Sequence, residues 1–220
     1  ILGLSTGFTG RNTMGLPPIS LRILREHIEQ CRALLQGKEV LYRDGNRERW
    51  IKFLHPDHGY INLKDPIPIY IAANGPKALA LTGELADGWI TTLTGPDSFQ
   101  KNLAQVQVGA DRVGRQASAL PNTMLTTGCV LQPGEAVTSQ RVIDRVGPFA
   151  LVALHALWEQ SAVAADLPPN LQQLYDRYNK EYIANLTTPQ DRLYLEIHAG
   201  HLIYMKPGEE KYLDETLIRG

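Results

Sequence analysis

The chain has 220 residues, 43% of them hydrophobic and 20% charged, with a formal net charge of −1 at neutral pH. That composition supplies a sizeable soluble core, and the near-neutral balance removes any electrostatic case for nucleic acid or an anionic membrane as partner. No apolar run reaches the roughly 18–20 residues that span a bilayer and no charged-then-apolar leader opens the chain, so a cytoplasmic protein is expected.

The sequence starts at Ile1 without an initiator methionine, and Ile1 to Ser5 already reads as a strand, so a segment is expected to be missing in front. Thr6-Gly7 and Gly10 give that strand a glycine-rich exit. Ser20 suits a helix N-cap, and Leu24, Ile28, Cys31 and Leu35 then recur at helical spacing until Gly37, a C-cap residue. His27 falls on the solvated face of that helix. Residues 38–65 are polar and rich in turns, which suits a hairpin or an excursion over the mouth of a barrel. His55 and His58 lie three apart there, but Pro56 separates them and no third ligand is near, so a surface loop and no metal site are expected.

Residues 67–92 form a complete strand, turn, helix and strand. Ile69 to Ala73 is a β-branched apolar run of the kind buried on both faces of a parallel sheet. Asn74-Gly75-Pro76 breaks it; Gly75 allows a tight turn, and Pro76 suits the first turn of a helix over residues 77–86. Ala86-Asp87-Gly88 closes the helix before a strand from Trp89 to Thr92. A helix that starts straight after a strand aims free N–H groups and its positive dipole end at one spot, which binds anions. Lys77, Thr91 and Thr92 could add a charge and hydroxyls, although such a turn can also serve geometry alone.

Residues 97–115 read as a helix and Asn122 to Leu131 as a fourth strand, with helices resuming from Ala136. Strands alternating with helices predict a parallel sheet, either open and doubly wound or closed as a (β/α)8 barrel. No GxGxxG follows the first strand, which leaves the dinucleotide-binding version of the open sheet without support. Helices are expected over 148–165 and 171–183, residues 193–205 carry His198 and His201 with HAGHLIY entering another strand or loop, and residues 136–195 read as a helical insertion. His155 sits in an apolar helix as a satisfied core residue. His198 and His201 flank Ala199-Gly200, where backbone or ligand should come close; they serve either the substrate side or a structural hydrogen bond. Cys31 and Cys129 lack CxxC spacing and are expected as buried free thiols.

Together, LGLSTGFTG, REHIEQCRALLQGKEVLY and IPIYIAANGPKALALTGELADGWI resemble the luciferase-like monooxygenase superfamily, which includes the coenzyme F420-dependent reductases such as methylenetetrahydromethanopterin reductase. The similarity covers Ile1 to Leu131 well and the remainder loosely. It implies an incomplete TIM barrel of the bacterial-luciferase type, a single partial domain over 1–220 in which the readable strands stand for the fourth to seventh. It implies FMN or deazaflavin F420 as cofactor. The cofactor phosphate would meet the amides of Asn74 and Gly75 beside Pro76 and Lys77, with Thr92 supplying a hydroxyl and Thr6 and Gly7 lining the neighbouring exit. The implied reaction is hydride transfer to, or monooxygenation of, a small organic substrate, with the ring-contacting residues outside this sequence. A homodimer or higher homo-oligomer is expected. Two alternatives remain open: a non-catalytic partial barrel holding a phosphorylated ligand or partner subunit, and a different phosphate-using α/β enzyme.

Overall fold

The computed structural model describes residues 1–92, 96–159 and 167–219, and the chain divides into two compact units, 1–126 and 127–220. The tail of the helix expected over 148–165 lies outside the described residues.

The first unit is built on four parallel strands, β1 (Leu2–Leu4), β4 (Ile69–Ala72), β5 (Gly88–Thr92) and β6 (Asn122–Leu125), side by side in that order. Leu4 pairs with Ile71, Ala72 with Ile90 and Thr92 with Leu125. All four strands therefore end on one edge of the sheet. The long strand expected to Leu131 stops at Leu125, opposite Thr92.

Three helices of eight residues or more belong to this unit: α2 (Leu21–Leu35), α3 (Pro76–Leu85) and α4 (Pro96–Asp111). A five-residue helix, α1 (Phe8–Asn12), follows β1. Ser20 accepts from the Ile23 amide as the expected N-cap of α2. Leu24 and Ile28 of α2, Leu79 and Leu81 of α3 and Val106 of α4 share a core with Ile69, Ile71, Ala73 and Trp89. These sheet residues all lie on one face, since side chains alternate along a strand. On the other face Tyr70 is half-buried and Ala72 exposed, so β4 is buried on one side and not on both as its composition suggests. Residues 38–65 contain the antiparallel hairpin β2 (Val40–Asp44) and β3 (Arg47–Ile51), turned at Gly45-Asn46.

α3 and α4 cross in contact of backbone on backbone. A methyl group on Gly83 would stand 2.0 Å from the Val106 carbonyl oxygen, and one on Gly109 1.7 Å from that of Ala80. Glu84 ties the layer together by pairing with Arg25 of α2 and, at 2.6 Å, with Arg112 just beyond α4. Burial works to raise the Glu84 pKa; the two guanidinium groups outweigh it and leave the carboxyl below its usual value.

The second unit contains helices and turns among its described residues: α5 (Gln140–Glu159), α6 (Pro169–Glu181), α7 (Leu193–Ile197) and α8 (Glu215–Arg219). Its core joins Leu151 and Leu154 of α5 with Leu174 and Tyr178 of α6, Ile197, Tyr212 and Leu217. α7 ends at Ile197, and the following residues, expected as a strand or loop, form a turn. Gly200 is needed there because a Cβ would lie 2.2 Å from the Tyr204 carbonyl oxygen. Among the described residues no helix is long and apolar enough to cross a membrane.

Candidate functional site

Because the strands are parallel and adjacent, the exits of β1, β4 and β5 sit next to one another. This places Thr6 and Gly7, then Asn74 and Gly75, then Thr91 and Thr92 along one sheet edge. Gly7 takes a left-handed conformation, φ 73°, as the N-cap of α1, and its amide donates to Ser5 Oγ at 3.1 Å. Residues 93–95, which follow β5, lie outside the described residues.

The two ends of α3 differ in kind. At its C-terminus, Arg115 donates to the carbonyls of Gly83, Glu84 and Ala86, the last at 2.7 Å, and Arg32 donates to that of Leu85 at 2.6 Å. At its N-terminus Gly75 is the cap residue, φ −83° and ψ 150°, and no side chain caps the helix. Pro76 has no N–H, and the amides of Lys77 and Ala78 have no acceptor within the helix. The helix therefore presents uncapped donors and its positive dipole end at the edge where the strands stop.

The hydroxyls behave differently from one another. Thr91 is buried; its Oγ1 donates to the Thr92 carbonyl at 3.2 Å and lies 3.5 Å from Asn74 Oδ1. Strand alternation puts Thr92 on the opposite face, with Ile90, where it is half-buried. The Lys77 side chain lines a cleft of about 250 Å³ with Leu21, Arg22, Arg25, Leu81, Glu84 and Arg112. The cleft thus brings Lys77 together with residues of α2 and α3 and with Arg112. Sequence reasoning missed Trp89, whose indole N–H donates to the Ala73 carbonyl at 3.0 Å and holds the end of β4 just before the turn.

A second group of polar residues lies in the helical unit. His155 is buried, as expected of a core residue, but only half satisfied: Nε2 lies 3.0 Å from Glu209 Oε1, and Nδ1 has no partner. Glu209 is itself 1% exposed and also accepts from Tyr178 at 3.1 Å and from the Lys206 amide at 3.0 Å. The Lys206 ammonium lies 3.1 Å from Glu209 and donates to the carbonyls of Glu196 and Ile197. Burial acts to raise the Glu209 pKa, but the bonds from His155 and Lys206 prevail and hold it below the usual value. His198 and His201 come together with His155, one ring nitrogen of each within 4.8 Å of the other two. Burial pushes the His198 pKa down; the Glu159 carboxylate, 3.1 Å from Nε2, opposes this, and the neighbouring imidazoles add to it. No sequence signal joins His155 to a pair more than forty residues away. Cys31 and Cys129 are free and half-buried, with burial raising the Cys31 thiol.

A parallel sheet with helices packed on it defines the α/β class of protein. Within that class, residues 6–203 match the family described as luciferase-like monooxygenase, and the chain belongs to it. The F420-dependent glucose-6-phosphate dehydrogenase of Nakamurella multipartita is 30% identical over 86% of this chain and 55% of its own length. The 5,10-methylenetetrahydromethanopterin reductase of Archaeoglobus fulgidus is 35% identical over 45% of this chain and 28% of its own. Among solved structures, the coenzyme F420-dependent tetrahydromethanopterin reductase of Methanopyrus kandleri aligns with 99% of this chain and 59% of its own, at 17% identity and a TM-score of 0.48. The chain spans about half the length of the curated relatives that it matches along most of its own sequence.

Proposed function

We propose that this chain forms part of an oxidoreductase that uses coenzyme F420 for two-electron hydride transfer with a small organic substrate. The observation that carries the reading is the uncapped N-terminus of α3 at the strand exits, in a sequence related to F420-dependent enzymes. The donors left there fit a phosphate, which needs several N–H groups converging on its oxygens. In this reading the amides of Asn74, Gly75, Lys77 and Ala78 bind the cofactor phosphate, the Thr92 hydroxyl donates to it, and Thr6 and Gly7 line the adjoining exit. The bound deazaflavin supplies the hydride, and the protein fixes its orientation and limits its access to water. The sheet is then an arc of a (β/α)8 barrel, its fourth to seventh strands, in a protein that works as a homo-oligomer in the cytoplasm. Residues 136–195 are the helical insertion of that barrel.

The family description favours a second reading, FMN with monooxygenation. Titrating the protein with each cofactor, followed by fluorescence, separates the two. Saturable F420 binding, with FMN no better than a weak competitor, is the expected result. Preference for FMN moves the protein to the monooxygenase branch, and failure of both to bind refutes the assignment.

A further inference from the structure

We infer that His155, His198 and His201 form a three-nitrogen site for a divalent transition metal, Zn²⁺ being the ion that suits it, which fastens α5 to the turn after α7. One ring nitrogen from each residue lies within 4.8 Å of the other two. Nδ1 of all three rings is buried and has no hydrogen-bond partner. Buried polar atoms are almost always paired, so unpartnered nitrogens on three neighbouring rings call for a shared partner. Imidazole nitrogens suit Zn²⁺, whose bonds of about 2.0–2.1 Å place tetrahedral ligand atoms roughly 3.4 Å apart, so metal entry draws the rings together.

The surroundings favour metal over a trapped water. The His155 ring is oriented by Glu209, which occupies Nε2 and leaves Nδ1 free. Nε2 of His198 lies 3.1 Å from Glu159 Oε1, a contact without the alignment of a hydrogen bond. A carboxylate behind the second nitrogen of a ligating imidazole is the usual support of such sites, because it fixes the ring and makes the free nitrogen a better donor. Lys206 offsets the charge of Glu209, so the pair does not attract the cation by itself. His198 and His201 are half-buried, so the cluster lies near the surface of its unit. The site lies wholly within the helical unit and does not depend on the cofactor assignment.

The test is titration of the purified, chelator-treated protein with Co²⁺, followed by its visible absorption, with Zn²⁺ as competitor and in parallel thermal melts. The expected result is one equivalent of Co²⁺ giving the intense bands of a four-coordinate site, displaced by Zn²⁺, with Zn²⁺ raising the melting temperature. His201→Ala and His198→Ala should each weaken Co²⁺ binding at least tenfold, while His58→Ala in the first unit leaves it unchanged. Should a variant fail to fold, Glu209→Gln provides a second reading, with binding weakened about 10–100-fold as the support behind His155 is lost. Absence of a stoichiometric four-coordinate spectrum in the wild type overturns the inference. So does a spectrum that persists in folded His201→Ala.

Discussion

Asp87 grips both sides of Ile69: its amide donates to the Ile69 carbonyl at 2.8 Å, and its Oδ2 accepts from the Ile69 amide at 2.9 Å. The second carboxylate oxygen takes Arg32 of α2 at 3.0 Å. One residue therefore ties the loop after α3 to the start of β4 and to a packed helix. Asp87→Ala should destabilise the first unit by about 1–3 kcal/mol, because the Ile69 amide loses its acceptor. Urea denaturation monitored by Trp fluorescence measures it; a loss of under a few tenths of a kcal/mol would show that water replaces the carboxylate.

The α3–α4 crossing predicts a larger effect. Gly109→Ala puts a methyl group inside contact distance of the Ala80 backbone, where no rotamer can relieve it. The helices must separate, at a cost of about 2 kcal/mol or more. Gly114→Ala, in open space beside the same helix, tests a different cause, since its φ of 67° strains the backbone without any clash. A melting temperature for Gly109→Ala equal to the wild type would rule out close packing here.

Arg115 satisfies three carbonyls at the end of α3, while the other end has no side-chain cap. Arg115→Met keeps much of the aliphatic stem and removes the donors; a loss of about 1.5–3 kcal/mol is expected for charged hydrogen bonds of this kind. Thermal unfolding with and without cofactor should show the loss in both states. A variant as stable as the wild type would assign those carbonyls to solvent.

The helical unit should be acid-sensitive through Glu209. Its folded pKa is depressed, so its stabilising contribution is fully present above the ordinary glutamate value of about 4.3 and is lost as pH falls through the lower folded value. Far-UV circular dichroism in urea, repeated from neutral pH down through that window, should show midpoints falling more steeply in the wild type than in Glu209→Gln. Parallel slopes would remove Glu209 from the acid response.

At the sheet edge, Thr92→Val tests the hydroxyl proposed to meet the cofactor phosphate. One neutral hydrogen bond contributes about 0.5–1.5 kcal/mol net, so affinity should fall about two- to tenfold with little change in unliganded stability. Thr91→Val should instead cost stability, because that hydroxyl is buried and bonded to the protein. Unchanged cofactor affinity in Thr92→Val would move the phosphate away from β5.

Local chemistry was readable where the signal is local. The N-cap at Ser20, the breaking turn at 74–76 and the order of strands and helices all depend on neighbours within a few residues, and each is found. Strand ends were not readable in the same way. Residues 126–131 end in the apolar run Cys129 to Leu131, yet β6 stops at Leu125, since a strand lasts only as long as its pairing across the sheet. Composition likewise could not tell that β4 is covered on one face, since Tyr70 and Ala72 tolerate either environment.

The sequence by itself determined the family, the parallel sheet and the start of a helix straight after a strand, because motif, periodicity and turn chemistry are properties of consecutive residues. Only the tertiary structure decided which donors are free. It bound the C-terminus of α3 with Arg32 and Arg115 and set Lys77 among the arginines of α2. It also gathered His155, His198 and His201 around unpartnered nitrogens. Each of these depends on residues far apart in the chain, and their meeting is fixed by helix packing rather than by any local preference.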